Sequence, residues 1–183
     1  MADIGDGERP AGSLLEGLVA AMPDAVIGPD EEFRVTAWNA GAERLYGYTK
    51  GEALGRFARE LSTLVGDPSH VELEAALVRD GRVQRELRAR RGDGTIVELE
   101  LFVSRVHDPP GYVGVHRDVT ERRVAELDRR RLAAIVQSAS DFIGLADLEG
   151  RPLFLNDAGR RMVGLDSMEA VRATAIAEFF VPE

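Results

Sequence analysis

A shift of 117 residues lays one part of this chain on another. It pairs Val19 with Val136, Asp24 with Asp141, Asp30 with Asp147, Glu32 with Glu149 and Arg34 with Arg151. It continues through Asn39/Asn156, Arg44/Arg161, Gly47/Gly164, Glu52/Glu169 and Ala53/Ala170. That makes ten identities in 35 ungapped positions, where unrelated segments would share roughly two. Leu18/Ile135, Val26/Ile143, Leu45/Met162 and Leu54/Val171 add conservative pairs. At about 150 residues per domain, 183 residues hold one domain and part of a second. The repeat places the second copy from near Leu132. Because Glu183 aligns with Gly66, that copy is expected to hold only its front half.

The local signals give each copy a plan. Residues 1–12 are almost free of apolar side chains and are expected to be a disordered leader. Ser13 and Glu16 have capping-box spacing ahead of Leu14, Leu15, Leu18, Val19 and Met22, so a helix is expected from Ser13 to Pro23. Ala25–Gly28 and Phe33–Trp38, joined by Pro29-Asp30-Glu31-Glu32, form a strand pair. Short helical pieces broken by glycines fill 39–59. Ser69 and Glu72 open a longer helix, with Leu73, Ala76 and Leu77 as its buried stripe and Gly81 at its end.

Val83–Arg90 and Thr95–Val106 then alternate around Gly92-Asp93-Gly94, a strong hairpin signal. The Arg-rich strand at 82–91 is expected to turn its charges to solvent, with Val83, Leu87 and Ala89 inward. A last strand, Tyr112–Val119, follows the turn at 108–111. The order predicts an α+β domain over 13–120 around a five-stranded antiparallel sheet. Residues 121–138 lose Gly and Pro and form a charged linker helix. Val124, Leu127, Arg131, Ala134 or Ile135, and Ser138 stand there at heptad spacing, with Arg131 interrupting the seam.

Composition narrows the function classes. The net charge is -9, which disfavours nucleic acid and anionic membrane as partners. No apolar run approaches the ~18 residues of a membrane span, and no signal sequence leads the chain, so a cytoplasmic location is expected. The absence of cysteine removes disulfides, thiolate metal sites and cysteinyl adducts. His70, His107 and His116 lack metal-ligand spacing. No catalytic triad or phosphate loop is present, and the chain is not expected to be an enzyme.

Four motifs carry a family resemblance. Trp38-Asn39-Ala40-Gly41-Ala42-Glu43-Arg44-Leu45-Tyr46-Gly47-Tyr48 and Lys50-Gly51-Glu52-Ala53-Leu54-Gly55-Arg56 resemble the signature that follows the second strand of PAS sensory domains. Arg90-Arg91-Gly92-Asp93-Gly94-Thr95 is similar to that family's long hairpin turn. Asp118-Val119-Thr120-Glu121-Arg122 is similar to the Asp-x-Thr motif that joins its last strand to an output helix. The resemblance covers about 14–120 in full and 132–183 as a partial repeat. It implies a sensory module of a signalling protein whose output domain, such as a histidine kinase, nucleotide cyclase or phosphatase, lies in the same polypeptide. It also implies homodimerisation through the N-terminal or the linker helix.

The resemblance and the spacing together name candidate residues. Asp118, Thr120, Glu121 and Arg122 are the expected signal relay, with Asp118 able to cap the exit helix and, four residues on, to pair with Arg122. Trp38, Asn39, His70, Leu73, Leu77 and His116 are the expected ligand pocket, with Asn39 also a helix cap. In haem-binding relatives the iron-ligating histidine lies on the helix of His70, at a similar distance from the closing glycine. In flavin-binding relatives the position of His116 carries a flavin-contacting glutamine. Haem and non-covalent flavin are thus the cofactors to weigh against an interior without one. In that third case His116 is a buried histidine bonded to backbone.

Overall fold

The computed structural model describes residues 11–66 and 68–175, which divide between Arg123 and Val124 into two units. The first runs α1 (Ala11–Ala21), β1 (Ala25–Pro29), β2 (Val35–Trp38), α2 (Ala40–Tyr46), α3 (Lys50–Ala53), α4 (Ala58–Leu61) and β3 (Thr63–Val65). It continues with α5 (His70–Asp80), β4 (Arg82–Arg90), β5 (Ile96–His107) and β6 (Pro110–Asp118). Helix α6 (Thr120–Ser138) leads out of it. The strands form one antiparallel sheet in the order β2-β1-β6-β5-β4-β3. This is the expected α+β fold, with one addition: the three residues of β3 extend the five expected strands by pairing with Thr63↔Arg90 through Val65↔Arg88.

Helix α1 begins at Ala11, two residues ahead of Ser13. Ser13 is therefore inside the helix instead of capping it, and residues 11–12 belong to α1 and not to a leader. Residues 1–10 of that expected leader lie outside the described part. Helix α5 starts as its sequence dictates: the Ser69 side chain accepts from the Glu72 amide, and the Glu72 carboxylate accepts from the Ser69 amide.

Alternation decides the core. On β4, Val83, Leu87 and Ala89 are buried, while Arg82, Gln84, Glu86, Arg88 and Arg90 are exposed. Across the ladder Leu87 faces Leu99 and Ala89 faces Val97. With Leu101, these residues form one core with Trp38 of β2, Leu45 and Tyr46 of α2, Leu61 of α4 and Leu77 of α5. Leu99 is 1% exposed, so truncating it to alanine would cost about 2–5 kcal/mol.

The second unit holds β7 (Gly144–Ala146), β8 (Pro152–Leu155), α7 (Asp157–Val163) and α8 (Met168–Ala173). Residues 139–165 reproduce the strand–strand–helix entry of residues 22–48. In both strand connections an aspartate closes the turn. Asp30 Oδ1 accepts from the amides of Glu32 and Arg34, and Asp147 Oδ1 from those of Glu149 and Arg151. The helices α2 and α7 end in the left-handed Gly47 (φ 80) and Gly164 (φ 70), a conformation glycine takes without the Cβ penalty.

Candidate functional site

The inner face of the first unit's sheet, together with α2, α4 and α5, encloses a cavity of about 100 Å³. Trp38, His70, Leu73, Leu77 and His116, all expected from the sequence, line it. Asn39 does not. Its Oδ1 accepts from the Val26 and Ala42 amides and its Nδ2 donates to the Val19 and Asp24 carbonyls, so its side chain is committed to backbone.

The cavity wall is apolar except for Glu74 and four neighbouring polar residues, Tyr46, His116, Ser62 and His70. Tyr46 at the end of α2 places its hydroxyl 2.5 Å from His116 Nδ1 on β6, with the two rings edge-on at 81°. Burial pushes the Tyr46 phenol up, against the opposing effects of the Ser62 hydroxyl and the Arg91 charge, so it stays protonated and donates. Burial pushes His116 down to about 4, with the neighbouring His70 a smaller cause in the same direction. His116 is therefore neutral at pH 7, and where the Tyr46 hydroxyl donates to Nδ1 the ring's single proton sits on Nε2.

Ser62, just after α4, neighbours both Tyr46 and His70. Its hydroxyl lies near the Tyr46 phenol and opposes the effect of burial there, and its carbonyl accepts from His70 Nε2 at 2.9 Å. Burial also pushes His70 down, against the raising effect of that carbonyl. His116 thus bonds a phenol, where the sequence led one to expect a backbone partner. Tyr46 and Ser62 escaped sequence reasoning because nothing local marks them. Their partners are 70 and 16 positions away, respectively, for Tyr46–His116 and Tyr46–Ser62. A close approach adds to this arrangement: a Cβ on Gly114 would lie 2.9 Å from His116 Nε2, so only glycine leaves the ring its place.

These residues do not fit haem. Iron ligation needs the Nε2 lone pair of His70, and that nitrogen directs its proton at Ser62. The volume also falls below the roughly 300–1,000 Å³ usual for small-molecule sites. The same volume does not fit a flavin.

The second part of the site is the exit of β6. Asp118 Oδ1 accepts from the Thr120 amide at 2.9 Å, and Thr120 Oγ1 accepts from the Glu98 amide at 2.9 Å. The first turn of α6 is thereby fixed both to its own strand and to β5. Asp118 also forms an ion pair, but with Arg91 of the β4–β5 turn, in place of the expected Arg122. Next to Arg91, the Gly92 amide donates to the Tyr46 carbonyl at 3.3 Å. Arg123, one turn into α6, pairs with Glu86 on β4. The expected relay residues Asp118 and Thr120 therefore meet, joined by Arg91. Glu121 and Arg122 stand on the helix outside these contacts.

Known proteins place this geometry. The sequence is 27% identical over 125 residues to the sensor protein kinase WalK of Staphylococcus aureus (strain Newman), covering 67% of this chain and 20% of that one. The chain thus spans about a fifth of the length of such relatives, matching them over the sensory region. The PAS domain of a Colwellia psychrerythraea protein superposes with a TM-score of 0.55 at 26% identity, covering 61% of this chain and 99% of that one. An RNA-binding light-oxygen-voltage receptor superposes with a TM-score of 0.57 at 26% identity, over 73% of this chain and 41% of that receptor. The family model of the PAS domain matches residues 23–121; the chain belongs to the PAS domain family.

Proposed function

We propose that this chain is a sensory module that responds to occupancy of its interior cavity and passes the response through Asp118 and Thr120 into α6. From there it would reach an output domain in the same polypeptide, of the histidine kinase class. The observation that carries this reading is the doubly tied junction. Asp118 holds the first amide of α6 and the β4–β5 turn at once, so a movement of β6 against β5 changes the direction of the helix. Likeness to the sensory region of a kinase supports the choice of output class.

The second unit carries the first half of the same plan and is read as a second PAS copy, beginning near Leu132. Pairing of two chains is part of the proposal. Leu14, Leu15 and Leu18 of α1 are 58–65% exposed, and Val124, Leu127 and Ile135 of α6 are exposed at heptad-related positions. Two copies laid along these helices would bury both stripes, and sedimentation of the purified chain measures it.

The function is tested by placing the chain ahead of a histidine kinase catalytic core. Autophosphorylation should change when the cavity is filled by a bulkier side chain, for example Leu73→Phe. Asp118→Ala should remove that response while leaving a basal rate. A response of equal size with and without Asp118 would refute the relay.

A further inference from the structure

Strand β4 is longer than its outer neighbour. It pairs with β5 along its whole length, from Arg82↔Ser104 to Arg90↔Ile96, but β3 reaches only Arg88, Ala89 and Arg90. The stretch 82–87 is therefore a sheet edge. The residue before it fixes its hydrogen-bonding direction: the Gly81 carbonyl accepts from the Arg105 amide, next to β5's Ser104, at 2.8 Å. Alternation along an antiparallel strand then turns the N–H and C=O groups of Arg82, Gln84 and Glu86 away from β5. Among the described residues a single group meets them, the Arg85 guanidinium, which folds back and donates to the Gln84 carbonyl at 3.0 Å. An added strand would find about 20 Å of edge, the length of an ordinary strand.

Charge says what such a strand would carry. The carboxylates around this edge already have partners: Asp80 pairs with Arg79, Glu86 with Arg123 and Glu100 with Arg117. Arg82, Arg85 and Arg88 are exposed, and among the described residues none of the three stands in an ion pair. The edge thus holds uncompensated positive charge in a chain whose net charge is -9. That overall charge repels a long polyanion such as nucleic acid, whereas a short segment meets only the local field, which salt screens beyond about 8–10 Å. We propose that the β4 edge binds an extended, acidic segment of a partner protein by strand addition. Its backbone pairs with Arg82, Gln84 and Glu86, and its carboxylates meet Arg82, Arg85 and Arg88. Because Glu86 also holds Arg123 of α6, the bound segment lies beside the start of the exit helix.

The test titrates the full chain with a short blocked peptide of alternating valine and glutamate. Two controls replace its glutamates by lysines or N-methylate its backbone throughout, which keeps the charge and removes the strand's donors. Backbone NMR and amide exchange follow binding. The acidic peptide should shift the amides of Arg82, Gln84 and Glu86 and slow their exchange, while those of Val83, Arg85 and Leu87, which face β5, change little. Arg82→Glu combined with Arg85→Glu should weaken the acidic peptide about three- to twentyfold, the range two exposed charge pairs supply, and should strengthen the lysine peptide. Equal binding of the acidic and lysine peptides would overturn the acidic partner, and equal binding of the N-methylated peptide would overturn strand addition. No binding of any peptide would leave the arginines as guards against self-pairing and overturn the proposal. An oligothymidylate that shifts the same amides more strongly than the acidic peptide would overturn it as well.

Discussion

Asn39 and Asn156, 117 positions apart, share four hydrogen bonds to equivalent backbone groups. Asn39 Oδ1 accepts from Val26 and Ala42, and Asn156 Oδ1 from Ile143 and Gly159. Asn39 Nδ2 donates to the carbonyls of Val19 and Asp24, and Asn156 Nδ2 to those of Val136 and Asp141. These four partners in the second unit are the first unit's displaced by 117, and Asn156 Nδ2 also reaches the Ala139 carbonyl at 3.3 Å. Both asparagines are buried, at 7% and 0% exposure, and each ties a helix end, a strand and the next helix through one amide group. Only an amide offers an acceptor and two donors on one short side chain.

Asn39→Ala leaves two backbone donors and two carbonyls of the first unit without their partner. It should destabilise that unit by about 2–4 kcal/mol, a lost helix cap plus unsatisfied buried groups. Asn156→Ala should act likewise on the second. Amide hydrogen exchange reads the two separately: Val26 should lose protection in the first variant and Ile143 in the second.

Stability should fall on acidification between pH 6.5 and 4. The folded His116 is held down at about 4 against an ordinary 6.5, so in that window the unfolded chain binds a proton that the folded chain refuses. The loss from this group totals about 3 kcal/mol and is complete below pH 4. His70, also lowered by burial, acts in the same direction. Tyr46 stays protonated throughout, and Glu74 and Arg59, which face His70, are common to the wild type and the variant. Urea denaturation at pH 7 and pH 5 should show the fall, and His116→Gln should flatten much of it.

Asp118→Ala should cost about 1–3 kcal/mol, from the lost Thr120 cap and the partly shielded Arg91 pair. Arg122→Ala should change stability by less than about 0.5 kcal/mol. A double-mutant cycle should find coupling between Asp118 and Arg91 and none between Asp118 and Arg122.

Phe33 occupies the left-handed region at φ 64, where the repeat has Gly150 at φ 75. The Phe33 ring is held there by stacking on Tyr112, with centroids 4.9 Å apart and planes 7° from parallel. Phe33→Gly and Phe33→Ala both lose the stack, but only alanine keeps the backbone strain. The glycine variant should therefore be the more stable of the two by about 0.5–1 kcal/mol, which thermal melts resolve.

What the sequence disclosed follows from the range of the interactions. The Asn39 cap, Gly47, the Ser69–Glu72 box and the Asp118–Thr120 turn are made within a few residues, so their spacing announces them. The alternation of Val83, Leu87 and Ala89 told inward from outward on a strand full of arginine. Partner choice across the fold was not legible. Asp118 had Arg122 four residues away, but helix α6 starts at Thr120 and carries Arg122 on, while the hairpin returns Arg91 from 27 residues upstream. Three-residue β3 has too few positions to show a period, and the bond between Tyr46 and His116 exists only once α2 has been laid over β6.

The cavity and the exit helix are linked if a change at Tyr46 reaches α6 through Asp118. Tyr46→Phe deletes the hydroxyl that holds His116 and little else. The direct measurement is amide hydrogen exchange of residues 119–127 in the wild type, Tyr46→Phe, Asp118→Ala and the double variant. Tyr46→Phe should alter the exchange of these amides when Asp118 is present and leave it nearly unchanged when Asp118 is absent, a non-additivity that marks coupling. Additive effects, or no effect of Tyr46→Phe on α6, would contradict the relay.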